Sequence, residues 1–307
     1  MRKIISIIVF INFTLSANCQ IKTGYSDNAL IGDEYLEDTL NGRVKSITEY
    51  EYFLNNANEK ELKDITIRVF DEKGRIFECV DTGFGLKSKY WFKYDSTGKL
   101  TNKNYYRYEV LITDAIYKYD DNGNLIQIDE FNHERTPNRK TIFLYDSRNN
   151  KIRSTIYLPQ KKIYSEEIWK YDSVNNVIEY IITGKNISYL STRRLYRYNE
   201  INKQCQVDEY SKDGQFWIRT FKKYNSNGEI VEAATYFDNK FLRNKTVYSY
   251  HSQSTERSDT IYSNNAVDFG TYHYTYDAFD KAQNWLRVIC FKDGKIYFIK
   301  EREIDYY

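Results

Sequence analysis

Apolar and polar residues alternate along short stretches of this chain, and a turn-forming polar cluster separates one stretch from the next. In residues 116–119 the alternation has a period of two, which is typical of a β-strand. Residues 120–123, Asp-Asp-Asn-Gly, follow; such side chains bond back to the main chain in turns, and glycine adopts a positive φ without steric cost. Residues 124–128 then resume an extended, branched-chain-rich pattern. The segment therefore predicts a β-hairpin.

The same hairpin pattern recurs along the chain, marked by an aromatic residue at intervals of 24 to 27 residues. The marker positions are Phe70, Tyr94, Tyr119, Tyr145, Tyr171, Tyr198, Tyr224, Tyr250 and Tyr276. Asp or Asn follows in eight of the nine cases, and His251 is the exception. Such a period is typical of repeat proteins, in which each unit packs on its neighbours. Two strands of about nine residues and two turns of about four residues account for its length.

The repeat predicts an all-β protein, in which tandem β-hairpin repeats form one long curled antiparallel meander sheet of about 16 to 20 strands. Open sheets of more than about ten strands curl or split, so we expect an open trough, a superhelix or a partial barrel. Asn149, Asn175 and Asn202 stand where other turns have glycine. We expect a positive φ there too, because asparagine tolerates the left-handed region best after glycine.

Four segments are predicted along the chain. Residues 1–19 join a basic start, a short apolar stretch and a small-residue end, which is typical of an export signal peptide. Residues 20–42 are polar and off-register, and form an N-terminal cap segment. Residues 43–284 hold the hairpin repeats. Residues 285–307 form a C-terminal capping hairpin, whose dense charges we expect to protect an exposed sheet edge.

The predicted signal implies an exported chain that begins at Gln20 and lies in the periplasm, at the cell surface or in the medium. The apolar stretch is too short to span a bilayer, so we expect no transmembrane segment in the mature chain. A lipid anchor on Cys19 is the less favoured alternative, because Ser16 and Asn18 do not match the usual residues before a lipidated cysteine.

Charge and cysteine content give no sign of a specialised partner. Without residues 1–19 the chain has 43 basic and 43 acidic residues, so nothing in its net charge favours nucleic acid. Cys79, Cys205 and Cys290 lie in different repeats and their number is odd. We therefore expect small apolar strand residues rather than a disulfide framework or a metal site.

A second aromatic residue stands two positions before the marker in seven of the nine repeats and shares its face of the strand. Together the two sets predict two aromatic columns across the sheet. Exposed rings would stack on sugars or hold an extended peptide, whereas buried rings would form the core, which is the favoured interpretation. The candidate ligand-binding residues are Tyr94, Tyr117, Tyr119, Trp169, Tyr171, Tyr196 and Tyr198.

The sequence carries no pattern of catalytic, metal or cofactor chemistry. None of the three histidines lies at a metal-ligand spacing, and no nucleophile elbow, phosphate loop or dinucleotide fingerprint occurs. We expect no catalytic residues, no metal and no cofactor. The aspartates after the markers raise the alternative of calcium, but calcium-binding β-rolls gather several oxygen ligands in one loop. We interpret these aspartates as turn caps.

Two features of the sequence resemble a known family. Residues 94–100, Tyr-Asp-Ser-Thr-Gly-Lys-Leu, and 119–125 are similar to the YD repeat of bacterial RHS-like proteins, and the resemblance extends over most of residues 45–307. Asn284-Trp285 and the tail 302–307 resemble the closing unit of small exported YD-repeat proteins. In large members the resemblance implies hairpins that spiral into a hollow shell around a toxic C-terminal domain. This chain has fewer repeats and no Asp-Pro pair, so neither toxin delivery nor self-cleavage is expected.

Together these observations predict a non-catalytic exported protein that acts as a binding or scaffold module at the cell envelope. A glycan, a peptide, or an envelope or secreted protein would be its partner, and no nucleic acid is expected. The alternative is a structural shell partner of a separately encoded secreted effector or toxin. The sequence leaves open which ligand binds, whether the sheet closes, and the oligomeric state.

Overall fold

Consecutive antiparallel strands make up the fold, as the hairpin pattern predicts. The structure is a computed structural model and describes residues 40–83, 87–184, 192–238, 240–250, 256–263 and 270–307. The predicted signal, 1–19, and the cap segment up to residue 39 lie outside the described residues. The strands are β1 (Val44–Leu54), β2 (Lys60–Phe70), β3 (Ile76–Asp81), β4 (Ser88–Tyr94), β5 (Leu100–Arg107), β6 (Val110–Tyr119), β7 (Leu125–Phe131), β8 (Pro137–Tyr145), β9 (Lys151–Leu158), β10 (Lys162–Tyr171), β11 (Val177–Gly184), β12 (Arg193–Tyr198), β13 (Gln204–Tyr210), β14 (Phe216–Tyr224), β15 (Ile230–Phe237), β16 (Phe241–Tyr250), β17 (Glu256–Ser263), β18 (Gly270–Phe279), β19 (Trp285–Lys292) and β20 (Lys295–Tyr306).

The strands form one sheet in which each pairs with its sequence neighbours, so the predicted all-β meander of tandem hairpins is confirmed. A 3₁₀ turn at Pro159–Lys161 joins β9 to β10. No helix within the described ranges has the length and apolar character that crossing a membrane requires.

The last strand, β20, pairs with the first. It forms antiparallel ladders with β19 on one side and with β1 on the other, where Ile304 lies opposite Ile47 and Arg302 opposite Glu49. We call the β1–β20 ladder the seam. The charged C-terminal strand is therefore not the exposed edge that its sequence predicts, because β1 covers it. Its charges pair across the seam instead: Arg302 Nε lies 2.8 Å and Lys300 Nζ 3.3 Å from Glu49 carboxylate oxygens.

Buried residues beside the seam give the closing residues a structural role. Val288 is fully buried, and the Arg302 guanidinium carbon lies 3.2 Å from the centre of the Trp285 ring. The Asn284 side chain accepts a 2.8 Å hydrogen bond from the Asn41 amide and donates a 2.9 Å bond to the Asn41 carbonyl. The Asn284-Trp285 pair thus holds the start of the described sheet against its last hairpin.

The turn after each marker has the predicted geometry. In the first one, the Asp71 amide donates to the Arg75 carbonyl at 2.8 Å and the Gly74 amide donates to the Asp71 carbonyl at 2.9 Å. The fourth turn residue has a positive φ in every such turn from Gly74 to Gly228, whether it is glycine or asparagine. Asn149, for example, has φ 62°. The sequence-based expectation about asparagine is therefore confirmed.

A β-bulge follows each of these turns and determines what the marker tyrosine does. Tyr94 pairs with Leu100 and Lys93 pairs with Asn102, so Thr101 is an extra residue that interrupts the ladder. The ladder with the next strand starts only at Asn102, and Leu100 lies beyond its end. The hydroxyl of Tyr119 donates a 2.9 Å hydrogen bond to the Leu100 carbonyl. The tyrosine of one repeat thus satisfies a main-chain acceptor that the bulge of the preceding repeat leaves outside the ladder.

This bond, which we call the tyrosine latch, occurs in six consecutive repeats. The hydroxyls of Tyr94, Tyr119, Tyr145, Tyr171, Tyr198 and Tyr224 donate to the carbonyls of Ile76, Leu100, Leu125, Lys151, Val177 and Gln204 at 2.6–2.9 Å. In each case the acceptor is the first residue of a strand. A phenylalanine could fill the same space but would leave the carbonyl without this donor.

Successive turns also contact each other, in one of two ways. Where the fifth turn residue is a long cation, the next turn has glycine at its fourth position: a Cβ on Gly123 would lie only 3.2 Å from Lys99 Nζ. Where the fifth residue is asparagine, the next turn has asparagine, and Asn124 Nδ2 donates to Asn149 Oδ1 at 3.0 Å. The cation–glycine pairs are Arg75–Gly98, Lys99–Gly123 and Lys203–Gly228, and the amide pairs are Asn124–Asn149, Asn150–Asn175 and Asn176–Asn202.

The tyrosine latch predicts that Tyr145→Phe lowers the free energy of unfolding by about 1–3 kcal/mol, because a partly buried carbonyl loses its donor. Urea unfolding followed by circular dichroism measures the change. Tyr157→Phe is the matched control, since the Tyr157 hydroxyl makes no hydrogen bond with the described residues. Equal effects of the two substitutions would contradict the latch.

The pairing of turns predicts unequal effects at Asn149. Asn149→Gly loses one amide hydrogen bond but suits the positive φ, so we expect the free energy of unfolding to change by less than about 1 kcal/mol. Asn149→Ala loses the same bond and places a Cβ in the left-handed region, which costs about 1–2 kcal/mol more. Urea midpoints compare the two variants, and an alanine variant as stable as the glycine variant would refute this account.

Candidate functional site

Three aromatic residues on adjacent strands lie on the face of the sheet that carries the marker tyrosines, which we call the tyrosine face. Trp169 on β10 lies directly opposite Tyr180 on β11, and their ring centres are 5.5 Å apart. Tyr180 in turn pairs with Arg194 on β12, and Tyr196 stands two residues after Arg194 on the same face. Tyr196 therefore lies diagonally across from Tyr180. All three side chains are half-buried. We call Trp169, Tyr180 and Tyr196 the ring cluster.

Charged groups lie among these rings. The Lys151 ammonium is 4.1 Å from the centre of the Trp169 ring, and the Arg194 guanidinium is 5.7 Å from that of Tyr180. The Tyr180 hydroxyl donates a 3.0 Å hydrogen bond to Glu167 Oε1. Burial and the neighbouring carboxylate raise the pKa of Tyr180, and burial lowers the pKa of Lys151. The surface therefore combines ring faces with hydrogen-bonding groups of both charges.

The structure divides the seven candidate residues of the sequence into latch tyrosines, ring-cluster residues and one separate tyrosine. The four marker residues among them use their hydroxyls in tyrosine latches; they are Tyr94, Tyr119, Tyr171 and Tyr198. Trp169 and Tyr196 belong to the ring cluster. Tyr117 lies on β6, four strands from Trp169, and burial together with Glu130 raises its pKa to about 12. All seven side chains are half-buried rather than fully buried or freely exposed.

Sequence reasoning missed Tyr180. The signal that reveals it is the hairpin register: the turn and its bulge pair Tyr171 with Val177, which brings Trp169 opposite Tyr180. The marker repeat alone does not show this, because Tyr180 stands in the second strand of its hairpin.

The opposite face carries acids that the sequence did not single out. Asp208, only 1% exposed, accepts hydrogen bonds from Arg219 Nε at 2.5 Å and Nη2 at 2.8 Å, and Arg197 lies 3.9 Å away. Three other acids also lie between two cations; the groups are Lys118–Asp129–Lys140, Lys170–Glu179–Arg193 and Lys223–Glu232–Lys245. The basic residues of these groups that stand one position before a marker are exposed, and each is paired with an acid; they are Lys118, Lys170, Arg197 and Lys223.

The aspartates after the markers cap their turns. Asp146 Oδ1 accepts the amides of Arg148 and Asn150 at 2.9 and 2.8 Å, and its Oδ2 accepts the Asn150 side-chain amide at 3.0 Å. The aspartates at 71, 95, 120 and 172 accept the corresponding amides. In the part of the chain that the structure describes, no three His, Cys, Asp or Glu side chains are grouped as metal ligands. The capping interpretation accounts for these aspartates directly.

The three cysteines of the repeats all lie within strands. Cys79 on β3 and Cys290 on β19 are fully buried, and Cys205 on β13 is half-buried. They occupy the positions of small strand residues.

Among known proteins, the chain has distant likenesses to solved structures. No protein-family model matches the sequence, and no curated protein is significantly similar to it. The chain is similar to the Tc holotoxin pore of Photorhabdus luminescens, with 11% identity and a TM-score of 0.26 over 78% of this chain and 17% of that one. A porin-like protein from Bacteroides uniformis gives 8% identity and a TM-score of 0.38, with 87% and 99% of the two chains covered.

A DUF1329 family protein from Desulfovibrio piger gives 8% identity and a TM-score of 0.16 over 86% of each chain. Likenesses this distant carry no argument about function. The resemblance to YD-repeat proteins remains a hypothesis that rests on the sequence motif.

The turn caps predict a specific loss of stability in acid. The hydrogen bonds from Asn150 hold the pKa of Asp146 below its usual range. An unfolded aspartate titrates near pH 3.9, so this stabilisation is complete above about pH 4 and is lost as the pH falls towards the lowered pKa. We expect Asp146→Asn to melt at a lower temperature than the wild type at pH 7, because the hydrogen bonds to the carboxylate are weakened or lost, but to lose less stability between pH 7 and pH 3, because an amide oxygen caps without titrating.

Thermal melts at pH 7, 5 and 3 measure this difference. Asp121→Asn is the control, since the Asp121 carboxylate makes no hydrogen bond within the described ranges and its removal should not protect against acid. An Asp146→Asn variant with the wild-type acid sensitivity would contradict the capping role.

Proposed function

We propose that the protein is a non-catalytic, exported binding module of the cell envelope that holds an extended carbohydrate or peptide across the ring cluster. The observation that carries this proposal is the placement of Trp169, Tyr180 and Tyr196 on three successive strands, half-buried and interspersed with charged groups. Export and envelope location rest on the signal-like sequence of residues 1–19.

The chemistry of the ring cluster suits such a ligand. Aromatic faces stack on the apolar faces of sugar rings or on extended peptides, and Tyr and Trp combine a large contact area with low conformational entropy. Adjacent strands lie about 4.8 Å apart, so rings on three strands present a row of about 10 Å. Glu167 and Arg194, next to this row, can accept and donate hydrogen bonds to hydroxyl or amide groups.

Substitutions in the ring cluster and in the latch tyrosines are expected to change different properties, affinity in the first case and stability in the second. The latch residues hold one repeat to the next through their hydroxyls, so replacing them affects stability first. Within the described residues the Trp169 indole makes no such bond to the main chain, and its ring contacts Tyr180 and Lys151. A binding role therefore predicts that affinity and stability separate at Trp169.

A glycan array and an array of extended peptides, both probed with the full chain, test the proposal. We expect a ligand to bind from one of the two arrays, and its affinity, measured by calorimetry, to fall at least about tenfold in Trp169→Leu. Aromatic stacking contributes about 0.5–1.5 kcal/mol, and the loss of neighbouring polar contacts adds to it. Tyr90→Leu, an aromatic substitution on the same face on β4, six strands from Trp169, should leave affinity unchanged.

Thermal melts of both variants separate binding from folding. Loss of the folded state in Trp169→Leu, with no ligand on either array, would show that these rings serve as core. Retention of a separately encoded protein instead of a glycan or peptide would replace the proposal by a scaffold role.

A further inference from the structure

The seam borders a cavity of about 480 Å³. Its walls include Tyr50 and Tyr52 from β1, Arg287 from β19, and Glu301 and Glu303 from β20. The two tyrosine rings are stacked, with centres 6.4 Å apart and planes inclined by 22°. We propose that this seam cavity binds a primary ammonium group, such as a lysine side chain of a partner protein or a free diamine.

The cavity already shows which group fits its walls. The Lys60 ammonium forms an ion pair with Glu301 and lies 5.2 Å from the centre of the Tyr52 ring. A carboxylate on one side and a ring face on the other stabilise an ammonium through charge and through the negative face of the ring. The protein thus places one of its own lysines against two of the groups that line the cavity.

The cavity walls carry a second tyrosine and a second carboxylate, each displaced by two residues on its strand. Tyr50 and Glu303 stand beside Tyr52 and Glu301, and the Tyr50 hydroxyl donates a long, 3.3 Å hydrogen bond to Glu303 Oε2. Among the described residues no basic side chain lies within ion-pair distance of Glu303. The second ring and the second carboxylate therefore form the same binding pair for an ammonium that comes from outside the cavity.

The charge balance of the cavity favours a cation. Arg287 is paired with Asp277, with Nε 2.7 Å from Oδ1, and Arg302 is paired with Glu49. Lys60 neutralises Glu301. Glu303 remains as a net negative charge, so a cationic ligand gains Coulomb energy that a neutral sugar would not. This inference is independent of the ring cluster, which lies on the tyrosine face of other strands.

Two probes, Nα-acetyl-lysine amide and cadaverine, test the proposal by NMR titration of the full chain in low-salt buffer. We expect saturable shifts at Tyr50 and Tyr52, with Glu303→Gln weakening the affinity about tenfold or more because a charged hydrogen bond is lost. Lys60→Met should strengthen binding by freeing Glu301. Tyr50→Phe should bind at least as well as the wild type, since the ring is needed but its hydroxyl competes for Glu303.

Glu134→Gln is the matched control, because Glu134 is an exposed turn acid far along the chain and its change should not alter the titration. Melting curves establish that each variant is folded. Absence of saturable shifts with both probes, or equal affinities of Glu303→Gln and wild type, would overturn the proposal. Stronger binding of the lysine amide than of cadaverine would identify a protein side chain as the source of the ammonium, and the reverse result a free amine.

Discussion

One hydrogen bond, from a tyrosine hydroxyl to a main-chain carbonyl, holds successive repeats of this protein in register. A bulge after each repeat turn leaves the first carbonyl of the next strand outside the ladder, and the marker tyrosine of the following repeat donates to it. The recurrence of the tyrosine thus follows from the recurrence of the bulge. Because the bond joins neighbouring repeats only, it can be extended along the chain without any change in its geometry.

The turns add a second link between repeats that depends on residue pairs. A long cation at the end of one turn, such as Lys99, lies over glycine in the next, whereas asparagine pairs with asparagine, as Asn124 does with Asn149. Both combinations keep the positive φ that the turn needs. The aspartate that begins the turn satisfies its amides. A motif that looks like a binding signature therefore consists mainly of groups that satisfy the main chain.

This division of roles locates the surfaces that remain for ligands. The latch hydroxyls and the turn carboxylates are engaged in bonds within the protein, and the exposed cations of the opposite face are paired with acids such as Asp208. The ring cluster and the seam cavity are different, because their rings and charged groups combine half-exposed area with polar groups that can accept another partner. The first suits a neutral extended ligand, and the second a cation.

The hairpins, their turns and the shared face of the markers can be read from local sequence, because these depend on residues within about ten positions of each other. The positive φ of Asn149 and the capping by Asp146 follow from local chemistry alone. The β1–β20 pairing is visible only in the folded chain. Glu49 and Arg302 meet across 253 positions of chain, and the repeat pattern would be the same whether or not the first and last strands paired. The tertiary structure also decided that Trp169 faces Tyr180, because cross-strand neighbours depend on the register that turn and bulge impose.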